Sequence, residues 1–417
     1  YDNLNKNDTE ADASFTNSTP SGFGQVCSAT ETLNGRVCSL NISQLLLFKK
    51  GSTSKRPEFK NVFVNANAEF PMRMGLLIRD SKLHFVGGEK IVRPGIVPHL
   101  ELDPRSFRRS PEFCHPNSHV FTFDPTFHTL YKDSNFPDPS APKSCPIVVT
   151  LGDKNKVYVL STDSLYLFTG HSLTEPIFEA FDFELKTWKP LPPPLYSRRA
   201  PIMSRYAIGR KLYLNTSHFS CIFDAEKEEW DYAIPLKFPY LMCSVEYNGF
   251  LIAMPLFGEA EVVAYNLDSF GLTNSEKRLD QLQEIFKDPF YDPRGCYLTS
   301  LDDHGRMCLL YSGFSSSNSS KEFWGRVAVF QVSVSNSTDG PVVTAVLEAV
   351  EDYNMQDFVV RDASIYSTFI MYDDLSMDDT EADVSFTNST LSGLVAVMHE
   401  EPETTVSETG QFVMAWN

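Results

Sequence analysis

Five times along the middle of the chain, a charged or glycine-bearing turn is followed by a short apolar run. The stretches are DSKLHFVGG (Asp80–Gly88), KNKVYVLST (Lys154–Thr162), GRKLYLNTS (Gly209–Ser217), YNGFLIAMP (Tyr247–Pro255) and HGRMCLLYSG (His304–Gly313). A reversing turn followed by β-branched and aromatic residues predicts a hairpin that leads into a buried strand. A second pattern lies downstream of the first. VFTFDPTFHTL ends at Leu130, EAFDFELKTW at Trp188, CIFDAEKEEW at Trp230 and VVAYNLDSFGL at Leu272. Its aligned polar residues, Asp124, Asp182, Asp224 and Asn266, mark a turn. The large residue closing each segment is of the kind that packs between neighbouring sheets.

These segments are evenly spaced. Asp182 to Asp224 is 42 residues, Asp224 to Asn266 is 42, and Trp188 to Trp230 is 42. A fixed period in this range marks a repeat architecture, and small antiparallel sheets repeated radially make a propeller. The segment AFDFELKTWKPLPPPLYSRR (Ala180–Arg199), with the Gly87-Gly88 doublet, resembles the kelch repeat of plant F-box/kelch-type proteins. That pattern has a glycine doublet after the second strand, an aromatic–Asp turn, a Trp six residues on and a Pro-rich link with Arg. The resemblance covers about residues 76–335. Other units depart from it: Ser161-Thr162 and Asn215-Thr216 replace the doublet, and Leu130 and Leu272 replace the Trp. No F-box-like helical segment precedes the repeats, so the resemblance brings no ubiquitin-ligase role with it. The expected fold is all-β, a kelch-like β-propeller of six four-stranded blades. Five are the clear units, and a closing blade would come from residues 45–64 and 365–417.

The two ends of the chain share a block. Tyr1–Gly22 matches Tyr372–Gly393 at 16 of 22 positions, including DTEADASFTNST at Asp8–Thr19 and DTEADVSFTNST at Asp379–Thr390. This reads as a whole propeller over residues 42–417, with residues 1–41 a loosely ordered tail left from an upstream repeat copy. Propellers commonly close by pairing strands from both termini, which leaves no long sheet edge open. Val37–Asn41 and Val413–Asn417 are then rivals for one slot. The acidic dozens bury too little apolar area to order by themselves.

Composition narrows the function. A hydrophobic fraction of 42% supplies a core, and the net charge of −18 disfavours nucleic acid and anionic membrane, both of which bind through Lys and Arg. No apolar run is long enough to span a bilayer. The chain opens at Tyr1 rather than Met, which leaves room for a cleaved leader. The eight cysteines include no CxxC pair and read as reduced, mostly buried thiols. Sequons at Asn7, Asn17, Asn41, Asn215, Asn318, Asn336 and Asn388 would suit a secreted glycoprotein, but they fall mostly in Ser- and Asn-rich loops. The expected location is the cytoplasm or nucleus.

No nucleophile elbow, phosphate loop, HExxH or EF-hand pattern is present. SLDDHG (Ser300–Gly305) approaches a sialidase Asp box with its glycine one position late. Asp80 with His84, and Asp124 with His128, repeat half of the Glu/Asp/His spacing by which specifier-type kelch proteins hold iron, without the Glu. Cys114, His115 and His119 could contribute to a zinc site but lack a fourth ligand. No catalytic residue, metal site or cofactor is assigned, and the chain is read as a non-enzyme. The alternative is a propeller enzyme, either secreted and carbohydrate-active or iron-dependent and specifier-like.

The long Glu89–Asn117 loop carries Arg93, Arg105, Arg108 and Arg109, and the link after the second unit carries Tyr196, Arg198 and Arg199, with Arg205 nearby. Arginines and a tyrosine on one face of an acidic protein favour an acidic or phosphorylated protein partner. These eight residues are the expected partner-binding set of an adaptor or substrate-recognition module.

Overall fold

In a computed structural model of the 417-residue chain, the described residues are 35–65, 71, 74–91, 114–162, 174–194, 202–216, 219–233, 238–270, 276–287, 290, 292–314, 322–338, 340–355, 364–370 and 394–399. They open with β1 (Gly35–Leu40), the helix α1 (Ile42–Lys49) and β2 (Lys60–Asn65). Asn41 starts α1 because its side chain accepts a hydrogen bond from the Gln44 amide at 2.7 Å.

The first blade is β3 (Gly75–Arg79), β4 (Lys82–Val86), β7 (Val120–Asp124) and β8 (Thr129–Tyr131). It is interrupted by a ribbon of β5 (Glu89–Ile91) and β6 (Cys114–Pro116). The second is β9 (Ile147–Val149), β10 (Lys156–Leu160), β11 (Phe178–Asp182) and β12 (Thr187–Pro190). The third is β13 (Ile202–Ile208), β14 (Lys211–Thr216), β15 (Ser220–Asp224) and β16 (Glu229–Ala233). The fourth is β17 (Leu241–Tyr247), β18 (Phe250–Pro255), β19 (Val263–Asn266) and β20 (Glu276–Arg278). The fifth is β21 (Asp292–Ser300), β22 (Arg306–Phe314), β23 (Phe323–Ser337) and β24 (Gly340–Asn354). Each is an antiparallel sheet in chain order, and together they make an all-β propeller.

The count departs from the six expected, since five blades come from consecutive strands. The remaining four-stranded sheet is assembled from distant segments: β25 (Ser364–Ile370) and β26 (Leu394–His399) join β1 and β2 in the order β2-β1-β26-β25. Residues 35–40 therefore do not belong to a loose tail. β1 pairs with β26 on one side and β2 on the other, Val37 facing both Val397 and Phe63. Leu45, expected in the closing strand, sits instead on α1, fully buried. Val413–Asn417 and both acidic dozens lie outside the described residues.

The core lies between blades rather than at a single centre. Leu77, Val86 and Phe136 meet Val159 and Phe181 between the first and second blades. Tyr158 and Phe178 meet Leu214 and Phe223 between the second and third. Tyr206 packs with Leu251 and Val263 between the third and fourth, and Ile252 with Leu309 and Phe330 between the fourth and fifth. Leu40, Ile42 and Phe59 join Phe85 and Phe123 of the first blade to Leu310 and Val327 of the fifth.

The repeated polar residues turn the chain between third and fourth strands. Asp124 accepts from the Thr126 amide at 2.9 Å, Asp182 from Glu184 at 2.9 Å, Asp224 from Glu226 at 3.0 Å and Asn266 from Asp268 at 2.9 Å. Four residues beyond each Asp, His128, Lys186 and Glu228 take left-handed φ of 53°, 54° and 55°. The Trp residues lie between blades, as expected from the pattern. Trp188 Nε1 donates to the Pro137 carbonyl at 2.9 Å and Trp230 Nε1 to the Pro192 carbonyl at 2.8 Å, each reaching the link from the preceding blade.

Candidate interaction face

In a four-stranded meander, the turn after the second strand and the links between blades fall on the same edge. This edge is built on a buried polar layer. At the glycine doublet, the Gly88 amide donates to the Lys143 carbonyl at 2.8 Å, and Asn117 Nδ2 donates to the Gly87 carbonyl at 2.9 Å. Gly87 has φ 66°, and a Cβ there would stand 2.6 Å from Lys143 Cβ, so the position requires glycine.

Where the doublet is missing, hydroxyl and amide side chains make the same kind of link. The Ser144 amide donates to Ser161 Oγ at 2.9 Å, and Thr162 Oγ1 donates to the Cys145 carbonyl at 2.7 Å. In the third blade Asn215 Nδ2 donates to the Pro239 carbonyl at 2.8 Å, and Tyr240 OH donates to the Thr216 carbonyl at 2.7 Å. Asn215 has no exposed surface, so its sequon is closed to a glycan in the folded chain. The sequon at Asn336 is exposed.

Charge is also buried in this layer. Lys143, at the entry to the second blade, forms an ion pair with Glu179 of β11, and both side chains are fully buried. Burial pushes the Lys143 ammonium below its ordinary value, and the Glu179 hydrogen bond and charge oppose that shift. Glu89 is buried at 3% exposure and accepts from Ser144 Oγ, with Cys145 Sγ at 3.6 Å. The layer fixes the links rigidly from beneath.

The first strand of each sheet lines the propeller's central channel: β13 lies beside β17, β17 beside β21, β21 beside β25, and β3 beside β9. Arg205 belongs to this wall. The alternation in β13 buries Ser204 and Tyr206 and leaves Arg205 exposed. Although solvent reaches it, protein surrounds the guanidinium closely enough for desolvation to pull it below its ordinary value; Tyr297 of β21 and Cys145 act in the other direction. Arg205 makes no ion pair among the described residues. Its neighbour Ser204 fastens the third blade to the fourth: its Oγ donates to the Leu241 carbonyl at 2.9 Å and accepts from the Leu241 amide at 2.7 Å.

Of the eight residues expected to bind a partner, Arg205 alone lies among the described residues, and it is on the channel wall rather than in a link. Arg93, Arg105, Arg108, Arg109, Tyr196, Arg198 and Arg199 lie outside them. The ribbon of β5 and β6 gives the long loop a paired stem, with Lys90 opposite His115. Sequence reasoning missed Glu89, Ser144 and Lys143. A buried carboxylate and ammonium look like solvated charges until the blades are assembled.

Several members of the metal-like spacings have structural partners, while the side chains of Cys114 and His115 lie outside the described set. Asp80 is exposed at a turn and lies 3.4 Å from Arg79, while His84 is buried in β4. His84 Nδ1 lies 2.9 Å from Thr122 Oγ1, and burial pulls its imidazole down to about 4. His119 Nδ1 is 2.8 Å from Asp138 Oδ2, with Lys132 alongside. Asp302 of SLDDHG accepts from the His304 and Arg306 amides at 2.9 Å, which makes that segment a turn. No grouping of three or more His, Cys, Asp or Glu suited to a metal ion occurs among the described residues.

Residues 113–349 match a family described as a protein of unknown function, DUF1668. The chain belongs to that family. No curated protein matches the sequence. Among solved structures, that of YjhT covers 78% of this chain and 96% of its own at 10% identity, with a TM-score of 0.42. A quinonprotein alcohol dehydrogenase-like protein from Bacteroides thetaiotaomicron covers 80% of this chain and 76% of its own at 10% identity, with a TM-score of 0.32. Kluyveromyces lactis Hsv2 covers 77% and 93% at 8% identity, with a TM-score of 0.31.

Proposed function

We propose that this DUF1668 chain is a non-enzymatic, kelch-like interaction module that takes an acidic or phosphorylated protein segment on its link-bearing face, at the channel mouth. The observation that carries this reading is Arg205. An exposed guanidinium that is partly desolvated, and has no acidic partner among the described residues, gains from an incoming carboxylate or phosphate, which supplies bidentate hydrogen bonds and the missing counter-charge. The rigid layer beneath the face keeps the ordering cost of binding low. The composite sheet of β1, β2, β25 and β26 shares a core cluster with the first and fifth blades, which in this reading holds the face together.

Affinity capture with wild type, Arg205→Ala and a triple Arg105/Arg108/Arg109→Ala variant tests the proposal. A partner retained by wild type and lost from the arginine variants, all equally folded, supports it. Identical capture by all three, or turnover of a substrate by the wild type, contradicts it.

A further inference from the structure

On the channel wall, β17 and β21 bring two thiols together. Cys243 Sγ lies 2.9 Å from Cys296 Sγ, and Cys296 Sγ lies 3.1 Å from Met254 Sδ. Backbone irregularities create the encounter. β17 carries a register shift between Leu241 and Cys243, and β21 one between Pro293 and Gly295. Such bulges re-aim the side chains that follow them. Ser204 of β13 occupies the place after the same kind of shift and also reaches across to the next blade, through hydrogen bonds to Leu241. The fourth blade puts a thiol where the third has a hydroxyl, and the fifth blade answers with a second thiol.

We propose that Cys243 and Cys296 form a redox site that closes to an inter-blade disulfide when the protein meets hydrogen peroxide. The pair is already inside van der Waals separation, so closing to a bond of about 2.0 Å asks for a shift of under an ångström. The two residues differ in access. Cys243 is partly exposed, whereas Cys296 is buried at 6% exposure. Burial also pushes the Cys296 thiol well above its ordinary value. Cys243 therefore reacts first. Its thiolate attacks one peroxide oxygen, the O–O bond breaks, hydroxide leaves, and Cys243 becomes a sulfenic acid. Cys296 then attacks that sulfur, loses its proton and expels water. Two thiols and one peroxide become one disulfide and two waters. The bond would join first strands of adjacent blades across 53 residues of chain and so lock part of the channel wall.

Peptide mapping decides the matter. Reduced full-length protein is treated with hydrogen peroxide, blocked with N-ethylmaleimide in denaturant, digested and analysed by mass spectrometry. The expected result is a Cys243–Cys296 cross-linked peptide that vanishes on reduction, with Cys221 and Cys308 still alkylated. Wild type should also melt at a higher temperature after oxidation, and Cys296→Ser should not. Both thiols remaining alkylatable, or Cys243 reaching sulfinic acid while Cys296 stays free, would overturn the proposal. So would stoichiometric copper(I) held by the two thiols and Met254, with no cross-link formed.

Discussion

At the residue scale, stability turns on a few side chains held where water cannot solvate them. His84 gives a pH signature. Its folded-state value of about 4 lies below the ordinary 6.5, so between those limits the unfolded chain takes up a proton that the folded chain refuses. Stability should fall as pH drops from 6.5 to 4, by about 3 kcal/mol from this group. Urea melts of wild type and His84→Gln across that window should differ by this amount; parallel pH profiles would contradict the assignment. The Lys143–Glu179 pair makes a second case. Lys143→Met strands a buried carboxylate and should cost about 3–5 kcal/mol, whereas replacing both residues by methionine should recover most of the loss. A double-mutant cycle without that coupling would show that the pair is not buried as described. The roles of Asp124, Asp182 and Asp224 were legible in the sequence because turn capping is local. The burial of Lys143 and Glu89 was not, because it arises only when separate blades meet.

At the element scale, the hairpins were readable from five turn-plus-strand stretches, and the structure forms a hairpin at each. Asn248-Gly249 shows why. Both residues take positive φ, 46° and 78°, in the two-residue turn that suits the twist of a β-hairpin. The Trp register was also readable. Trp188 stacks on Phe136 of the preceding link at 5.7 Å, and Trp230 packs on Phe178 of the second blade at 5.5 Å. Trp188→Ala and Trp230→Ala should each cost about 3 kcal/mol in chemical denaturation. Trp188→Phe should cost only about 1 kcal/mol, for the hydrogen bond to Pro137. An alanine cost below about 1 kcal/mol at either site would break the inter-blade assignment. The composite sheet was less legible. Its strands carry no aromatic–Asp turn, and α1 intervenes between β1 and β2, so periodicity gave no register for them.

At the scale of the whole molecule, the two ends of the described chain are tied into one sheet. A truncation of residues 1–34 serves as the reference, because it keeps β1 whole. Removing residues 1–41 takes away β1, leaves β2 without its partner strand, opens one edge of β26 and disrupts the cluster around Leu40, so it should destabilise strongly. Equal stability of the two truncations would mean that β1 is dispensable. In the proposed function the ring matters because it sets Arg205 in a wall where solvent enters but protein surrounds the charge. The most direct test of the account measures binding of purified protein to an array of acidic and phosphorylated peptides, beside their neutral counterparts, for wild type, Arg205→Lys and Arg205→Ala. The prediction is charge-dependent binding that weakens with salt, falls about tenfold or more in Arg205→Ala, as expected for one charged hydrogen-bonding group worth about 1.5–3 kcal/mol, and is partly kept by Arg205→Lys. Binding indifferent to peptide charge, or unchanged when Arg205 is replaced by alanine in a folded protein, would contradict it.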